Sequence, residues 1–339
     1  MRVLVTGGAG YIGTHTLLEL VAAGHEPFVV DNFENASPRA LARVGELIQR
    51  PIPHATCDVR DRSTLTEIFE DIRPEAVIHF AGLKAVGESE ERPRDYYDVN
   101  VAGTLTLLAA MEAVDCARIV FSSSATVYGA PDYLPYDEAH PTRPLSVYAK
   151  TKLMAEDILR DWHSAHPQSA VLLLRYFNPV GAHISGRIGE DPQGWPNNLM
   201  PFITQVAVGR RDKLMVFGDD YDTPDGTGVR DYIHVVDLAR AHVAALTHAE
   251  KTPGAEVINI GTGQGYSVLE MIRAFEAATG LEIPHEIAPR REGDIAAMQA
   301  DVRRAETLLG WRARHGLAEM MASAWGWQSA NPQGYTTDN

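Results

Sequence analysis

The sequence predicts an α/β protein with a doubly wound parallel sheet and a smaller mixed α/β domain towards the C-terminus. Short apolar runs alternate with helical spacings through the first half of the 339 residues. A glycine-rich turn follows the first run at once, and the second run ends at an acidic residue. This alternation is typical of a parallel sheet that carries helices on both faces. From about residue 179, prolines and glycines interrupt the pattern and indicate a second unit.

The elements follow in chain order from the spacing of apolar residues. Arg2–Thr6 is a short buried strand, and the helix after the glycines carries apolar residues at helical spacing from Ile12 to Val21. Further strands are predicted at 27–31, 76–80, 118–121, 171–174 and 257–261. Further helices are predicted near 63–71, 99–114, 148–163, 198–209 and 232–248, and the chain beyond about residue 265 is predicted to be mostly helical.

Composition and charge argue against several classes of function. A formal net charge of −15 would repel the phosphate backbone of nucleic acid over the whole surface. No apolar run reaches the length of about 18 residues that a membrane span needs. Cys57 and Cys116 are the only cysteines, and the glycine turn follows Met1 too closely for a signal peptide, so we expect a cytoplasmic protein. The 13 histidines lack metal-ligand spacing, and no metal site is predicted.

The glycine-rich turn indicates a dinucleotide site of the Rossmann type. Gly7, Gly10 and Gly13 are spaced to permit a tight turn and a close approach of backbone to a pyrophosphate at a helix N-terminus. Asp31 ends the second strand 18 residues after Gly13, where a carboxylate accepts a hydrogen bond from a ribose 2′-hydroxyl. Because a carboxylate repels a 2′-phosphate, the sequence favours NAD over NADP. A plain turn residue before Asn32 is the alternative interpretation of Asp31.

Other strand ends supply candidate contacts to the same cofactor. Asp58 and Val59 suit the amino group and the ring of an adenine. The small residues Ala81 and Gly82 let backbone pass close to the cofactor, and Lys84 adds a cation, although each residue also suits an ordinary loop. The full set of predicted cofactor-binding residues is Gly7, Gly10, Tyr11, Ile12, Gly13, Asp31, Asn32, Asp58, Val59, Phe80, Ala81, Gly82, Lys84, Asn100, Ser122, Tyr148, Lys152 and Phe177.

A tyrosine and a lysine one helical turn apart are the candidate catalytic pair. Tyr148 and Lys152 are separated by four residues and share one helix face. A phenol is a poor base at neutral pH, and lowering its pKa by roughly three units needs about 4 kcal/mol of preferential stabilisation of the phenolate. An adjacent ammonium and a positive nicotinamide ring would supply it. Ser124, in the run Ser122–Ser124, would orient the substrate oxygen. By itself the Tyr-Lys spacing also fits a buried tyrosine with a solvated lysine.

Four longer strings make the interpretation specific. They are FSSSATVYG (121–129), RYFNPVGAH (175–183), DGTGVRDYIHV (225–235) and PRREGD (289–294). With the glycine turn and the Tyr-Lys pair, they resemble the extended short-chain dehydrogenase/reductase family, and within it the 4-epimerases of UDP-hexoses. The resemblance runs from Met1 to Gln328. It implies interconversion of UDP-glucose and UDP-galactose through a 4-keto intermediate, with NAD retained.

The resemblance also implies the roles of residues and the division of the chain. Residues 1–178 would bind NAD, with 230–262 returning to that domain, and residues 179–335 would bind the UDP-sugar. Tyr148 would be the general base, Lys152 its electrostatic partner and Ser124 the hydroxyl that contacts O4 of the sugar. The predicted substrate-binding residues are Lys84, Ser124, Tyr148, Asn178, Asn198, Leu199, Phe217, Arg230, Arg291, Asp294 and Met298. Among these, the two arginines suit a diphosphate, because a guanidinium binds phosphate with two donors.

The family further suggests a homodimer built from the helices near 99–114 and 148–163. Their apolar residues would serve either a subunit interface or the core. These residues are Leu105, Leu108, Met111, Met154, Ile158 and Trp162.

Three other functions stay open at this point, with unequal support. A nucleotide-sugar 4,6-dehydratase would need an acid pair beside the active serine, and Ala125 and Thr126 occupy those positions, which disfavours it. A UDP-N-acetylhexosamine or a UDP-pentose is an alternative substrate, because Met298 is intermediate in bulk where related enzymes carry a large or a small residue. A catalytically silent NAD-sensing module is disfavoured because Tyr148 and Lys152 are both present.

Overall fold

The computed structural model describes residues 1–291 and 293–335, so Glu292 of the PRREGD string lies outside the described residues. The strands are β1 (Arg2–Thr6), β2 (Glu26–Asp31), β3 (His54–Thr56), β4 (Ala76–His79), β5 (Arg118–Ser124), β6 (Ala170–Tyr176), β7 (Asn178–Val180), β8 (Leu214–Phe217), β9 (Val229–His234), β10 (Gly254–Ile260), β11 (Gly265–Ser267), β12 (His285–Ala288) and β13 (Ala297–Met298).

The α-helices are α1 (Tyr11–Ala22), α2 (Pro38–Ile48), α3 (Arg62–Ile72), α4 (Val86–Glu91), α5 (Pro93–Tyr96), α6 (Gly103–Glu112), α7 (Val147–Ala165), α8 (Leu199–Ala207), α9 (Val235–Lys251), α10 (Val268–Thr279), α11 (Arg303–Leu309) and α12 (Leu317–Ala330). A π-helical turn (Tyr97–Ala102) precedes α6, so the helix predicted near 99–114 consists of two segments. A 3₁₀ turn (Ala125–Tyr128) follows β5.

The large sheet confirms the predicted fold class. Its seven strands run parallel in the order β3-β2-β1-β4-β5-β6-β10, and the first six follow the strand order of dinucleotide-binding folds. The strands are apolar on both faces because helices cover both. Along β1, Val3 and Val5 face a core shared with α1, α2 and α9, whereas Leu4 faces a second core shared with α3, α6 and α7.

The smaller unit contains two short sheets on its own core. In the first, β9 pairs parallel with β7 and β13 and antiparallel with β11. In the second, β8 and β12 run parallel. Helices α8, α10 and α12 supply most of the apolar core beneath them. The described residues therefore form an α/β sheet unit and a mixed α/β unit, as the sequence predicted.

Two places differ from the sequence interpretation in detail. The segment predicted as a helix from 232 to 248 begins as strand, because the His234 ring accepts from the Val236 amide at 3.1 Å and caps α9 only there. The chain after residue 265 contains β11, β12 and β13 as well as helices. These strands have two to four residues, too few for a periodicity to show. Strand β10 adds to the outer edge of β6, while β9 remains in the smaller sheet; the predicted domain limits stay a prediction.

Candidate active site

The glycine turn forms a backbone cradle that side chains would fill. Gly7 has a φ of +68°, and a Cβ there would lie 2.6 Å from the Ala81 amide nitrogen. A Cβ on Gly13 would lie 2.6 Å from the Gly7 carbonyl oxygen. Gly10 is the N-cap of α1 and gives it no side-chain cap, so the first amides of the helix stay available to an anion. These features fit the pyrophosphate of a dinucleotide.

Asp31 lies at the rim of the same turn. Its carboxylate is 8% exposed and accepts from the amides of Ala9 at 3.0 Å and Phe33 at 2.9 Å. Burial raises the pKa of Asp31, and the hydrogen bonds from the two backbone amides oppose that rise. The carboxylate thus occupies the end of β2 with accepting capacity left for a ribose hydroxyl, which fits the predicted preference for NAD.

Asn32, Asp58 and Val59 lie beyond Asp31 on neighbouring strand ends. The Asn32 amide donates to Asp58 at 3.1 Å, and Arg60 binds the same carboxylate through Nε at 2.8 Å. Hydrogen bonding from Arg60 lowers the pKa of Asp58 to about 2. Val59 is buried and contacts Gly103. The sequence did not indicate the guanidinium partner of Asp58.

The loop after β4 is held by Asn100. Its Oδ1 accepts from the Leu83 amide at 2.8 Å, and its Nδ2 donates to the Leu83 carbonyl at 3.0 Å and to Thr151 Oγ1 at 2.9 Å. Asn100 therefore fastens this loop to α7, and a direct contact with the cofactor stays a prediction. At Gly82 a Cβ would lie 2.9 Å from Asn100 Oδ1, which explains the small residue there. The Ala81 amide donates to Thr6 Oγ1 at 3.3 Å.

Four predicted cofactor residues also make contacts between elements. The Tyr11 hydroxyl donates to the Gly181 carbonyl at 2.6 Å and links the glycine turn to the smaller unit. Ile12 packs on the core beneath the sheet, and Phe80 lies 4.7 Å from the His242 ring between centroids. Phe177 is buried in a cluster with Tyr136 and Met298.

The candidate catalytic pair lies at the start of α7. Ser146 caps this helix by accepting from the Ala149 amide at 3.1 Å, which places Tyr148 in the first turn. Lys152 is buried, donates to the Ser122 carbonyl at 2.8 Å and lies 4.9 Å from the centre of the Phe121 ring. The Ser122 hydroxyl is bonded to the Tyr176 hydroxyl. The structure thus brings α7 and the end of β5 together, as the sequence suggested.

Ser124 is oriented as a hydrogen-bond donor. Its Oγ accepts from the Thr126 amide at 3.2 Å and from the Thr126 hydroxyl at 2.9 Å. A serine oxygen has two lone pairs and one proton, so these two bonds leave the proton to be donated. Hydrogen bonding with Ser124 lowers the pKa of Tyr148.

Burial sets the direction of both pKa shifts in the pair. Burial raises the pKa of Tyr148 to about 12, and burial lowers the pKa of Lys152 to about 8. Burial is the largest influence on the pKa of the phenol, and hydrogen bonding with Ser124 opposes it. Lowering it to neutrality requires the positive ring of the cofactor as well as the ammonium.

The predicted substrate residues fall into three places in the smaller unit. The Arg291 guanidinium lies 4.9 Å from the centre of the Phe217 ring and donates from Nε to Asp294 at 2.9 Å. Arg230 donates to the Val229 carbonyl at 2.9 Å within β9, next to Met298 of β13 in register. Phe217 is 39% exposed, and an exposed aromatic face beside arginines suits a base and a diphosphate.

The other substrate candidates border the long loop before α8. Asn198 precedes α8, which starts at Leu199, and Asn178 begins β7. The Asn198 amide donates to Glu190 Oε1 at 2.8 Å, and Lys84 Nζ lies 3.6 Å from the same oxygen. Glu190 therefore joins candidate residues of both units. Sequence reasoning missed it, because a lone acid in a proline- and glycine-rich loop carries no signal.

Two absences concern the described residues 1–291 and 293–335. None of their helices is long and apolar enough to cross a membrane. In the same part of the chain, no group of three or more His, Cys, Asp or Glu side chains is arranged to hold a metal ion.

Comparisons with known proteins agree with this geometry. The model of the NAD dependent epimerase/dehydratase family matches residues 3–261. Mouse UDP-glucose 4-epimerase is 55% identical over 341 residues, covering 98% of each chain. The crystal structure of UDP-glucose 4-epimerase from Bifidobacterium longum with NAD+ and UDP has a TM-score of 0.96 at 53% identity and covers 99% of this chain and 100% of its own. That of the Stenotrophomonas maltophila UDP-glucose-4-epimerase with NAD and formylated UDP-arabinopyranose has a TM-score of 0.96 at 47% identity, with 98% and 99% covered.

Proposed function

Because the chain belongs to the NAD dependent epimerase/dehydratase family, we propose that it interconverts UDP-glucose and UDP-galactose by NAD-dependent epimerisation at C4. The placement of Lys152, which shares a helix face with Tyr148, carries this proposal: its ammonium donates to the Ser122 carbonyl at 2.8 Å and would lie 3.7 Å from a Cβ on Gly82, in the loop beside the glycine turn. The proposed reaction is the one named for UDP-glucose 4-epimerases that are 55% identical to this chain over nearly their whole length.

The glycine turn and Asp31 would hold NAD, which would supply a reversible hydride acceptor for C4 of the sugar. Tyr148 removes the proton from O4 as the hydride leaves, and it gives the proton back after the sugar has turned. Ser124 donates to O4 and thereby fixes the distance between the alcohol and the phenol. The buried Lys152 favours the phenolate through its charge, and Ser122 and Phe121 restrict the position of that charge.

The nucleotide half of the substrate would be held far from the reacting carbon. Arg230 and Arg291 suit the diphosphate, Asp294 suits ribose hydroxyls and Phe217 suits the uracil face. Affinity that arises from these remote groups leaves the hexose free to turn between the two hydride transfers. We assign residues 1–178 to NAD and residues 179–335 to the UDP-sugar, with 230–262 returning to the NAD-binding domain through β10, which pairs with β6.

The test is the variant Tyr148→Phe, compared with Tyr133→Phe as a matched control. Tyr133 is exposed and its hydroxyl donates to Asp137, so its loss should leave turnover unchanged. Tyr148→Phe should reduce kcat for UDP-galactose by about 100- to 10,000-fold, the usual contribution of a general base, with UDP binding unchanged in calorimetry. Near-normal turnover of Tyr148→Phe would refute the assignment.

We also propose a homodimer formed through α6 and α7. Leu108, Met111 and Trp162 are buried in the core of the chain, whereas Leu105 is 52% and Met154 45% exposed. The two exposed side chains are therefore available to a second copy. Sedimentation of Leu105→Glu should give a monomer where the parent chain gives a dimer; a monomeric parent would refute the proposal.

We place the enzyme in the cytoplasm, because Cys57 and Cys116 are free and free cysteines are typical of a reducing compartment. Cell fractionation tests this, and recovery in an oxidising compartment would overturn it.

A further inference from the structure

Ser123 is the one member of the Ser122–Ser124 run that the reaction does not use, and its side chain turns towards α7. Its hydroxyl donates to Glu156 Oε1 at 2.5 Å. Glu156 is fully buried. A buried carboxylate is stable only with several strong partners, and this one has four donors.

Arg175 of β6 supplies two of these donors. Its Nε lies 2.8 Å from Glu156 Oε1 and one terminal nitrogen lies 2.5 Å from Oε2. Arg160 of α7 adds a bond of 2.7 Å to Oε2. Arg175 is itself fixed, because its guanidinium lies 4.7 Å from the centre of the Tyr128 ring and the Tyr128 hydroxyl donates to Asn259 of β10.

Glu156 shares a helix face with the catalytic pair. Tyr148, Lys152 and Glu156 follow one another at intervals of four residues on α7, so their side chains point to the same side. Each of them meets the end of the sheet at a different point. Tyr148 meets Ser124, Lys152 meets the Ser122 carbonyl, and Glu156 meets Ser123.

We propose that Glu156 is a positioning residue for the epimerisation: with Ser123 and Arg175 it locks α7 to β5 and β6, and its buried charge acts on Lys152. This inference rests on the proposed function. The lock sets the register of the helix, because a one-residue slip would move the carboxylate by about 1.5 Å along the axis and turn it away from both partners. Tyr148 then stays beside Ser124 as the substrate turns.

The charge has a separate effect on Lys152. The groups that face its ammonium are the Ser122 carbonyl and the Phe121 ring of β5, His79 of β4, Gly82 of the loop after β4, and Glu156 of α7. His79 is buried, which lowers its pKa to about 3 and keeps it neutral. Glu156 is therefore the one formal negative charge in this group, and it opposes the burial that lowers the pKa of Lys152.

Two variants separate the lock from the charge. Glu156→Gln keeps an acceptor for Ser123 and removes the charge, whereas Ser123→Ala keeps every charge and removes the link to β5. Asp161→Asn is the matched control, because Asp161 lies on α7 and is exposed, whereas Asp157 is paired with Arg160. Each protein is assayed for kcat and KM with UDP-galactose from pH 6 to 10 (about two units either side of the pKa of Lys152), with thermal unfolding and bound NAD measured in parallel.

Glu156→Gln should lower kcat about tenfold or more and move the alkaline limb of its pH profile down by about one unit. Ser123→Ala should lower kcat about fivefold with KM within about twofold and the alkaline limb unchanged. Asp161→Asn should match the parent. A loss of stability with unchanged kcat and an unchanged limb would mean that the cluster is structural and would overturn the proposal.

If Glu156→Gln does not fold, Ser123→Ala decides, and full kcat in that variant overturns the positioning role. The parent enzyme separates this result from the proposed function. An inactive parent would refute the epimerase assignment, whereas an active parent with a fully active, folded Glu156→Gln would refute only the role of Glu156.

Discussion

Replacing Lys152 with methionine tests whether the ammonium supports the phenolate. Methionine keeps an unbranched chain of similar length and removes the charge. Burial holds the pKa of Tyr148 at about 12 before cofactor binds, so the phenolate depends on nearby positive charge. Side chains four residues apart on a helix have Cβ atoms about 5–6 Å apart. For a phenolate oxygen and an ammonium also about 5–6 Å apart, at an effective dielectric constant of about 20, the interaction is worth about 3 kcal/mol, or roughly a hundredfold in the ionised fraction.

We therefore expect Lys152→Met to lower kcat about 100-fold at pH 8. Turnover of UDP-galactose can be followed by oxidising the product UDP-glucose with a coupling dehydrogenase. Lys150→Met is the matched control, because Lys150 is exposed two residues away on the same helix. The parent should also lose kcat as the pH rises through about 8, since the pKa of Lys152 lies there and only its protonated form carries the charge. A Lys152→Met enzyme with bound NAD and more than about a third of the parent kcat would contradict this reasoning.

Three further predictions concern the cradle, the sugar pocket and acid stability. Gly13→Ala should lose bound NAD and about 1–3 kcal/mol of stability, because the Cβ would lie 2.6 Å from the Gly7 carbonyl oxygen. Gly326→Ala is the control: its Cβ would lie in open space on α12, and this variant should keep both its NAD and its stability. Retention of NAD by Gly13→Ala would count against the cradle. Met298→Gly should raise the turnover of UDP-N-acetylglucosamine relative to UDP-glucose roughly tenfold or more, since Met298 is buried in the cluster beside Phe177. An unchanged ratio of the two turnovers in a competition assay would exclude Met298 as a determinant of substrate specificity. Burial lowers the pKa of four histidines, His15, His79, His234 and His242, to about 3 or about 4. The parent should therefore lose stability as the pH falls below about 6.5, because the unfolded chain binds protons at these histidines first, which costs about 2 kcal/mol per histidine by pH 5. Equal urea midpoints at pH 7.5 and pH 5 would contradict this.

Features with a local cause could be predicted from the sequence. The glycine spacing requires a backbone turn whatever surrounds it, and the interval of four between Tyr148 and Lys152 fixes a shared helix face. The acid at the end of β2 follows from strand length alone. The family strings then supplied the substrate residues, which no spacing rule would have given.

Features that depend on distant partners could not be predicted. The Glu190 contacts with Lys84 and Asn198 join loops about a hundred residues apart, and no periodicity marks them. Asn100 contacts Leu83 and Thr151 from a π-helical turn. The spacing of apolar residues in the sequence does not predict such a turn within a helix. The extent to which burial raises the pKa of Tyr148 could not be predicted, because it depends on the packing of the whole site. Glu156 could have been singled out from the sequence, since it follows Lys152 by the same four residues that separate Lys152 from Tyr148. Its proposed role could be inferred only from its contact with Ser123.

The position of β10 has a consequence for how the chain is made in the cell. Strand β6 is almost wholly apolar and gains its outer neighbour only when residues 254–260 arrive. Strands β1 to β6 are synthesised well before β10, so the nascent chain exposes an unpaired, apolar edge strand until residues 254–260 are made. Premature termination between β6 and β10 should accordingly yield an insoluble fragment dependent on chaperones, whereas the opposite border, the three-residue β3, carries no such hazard.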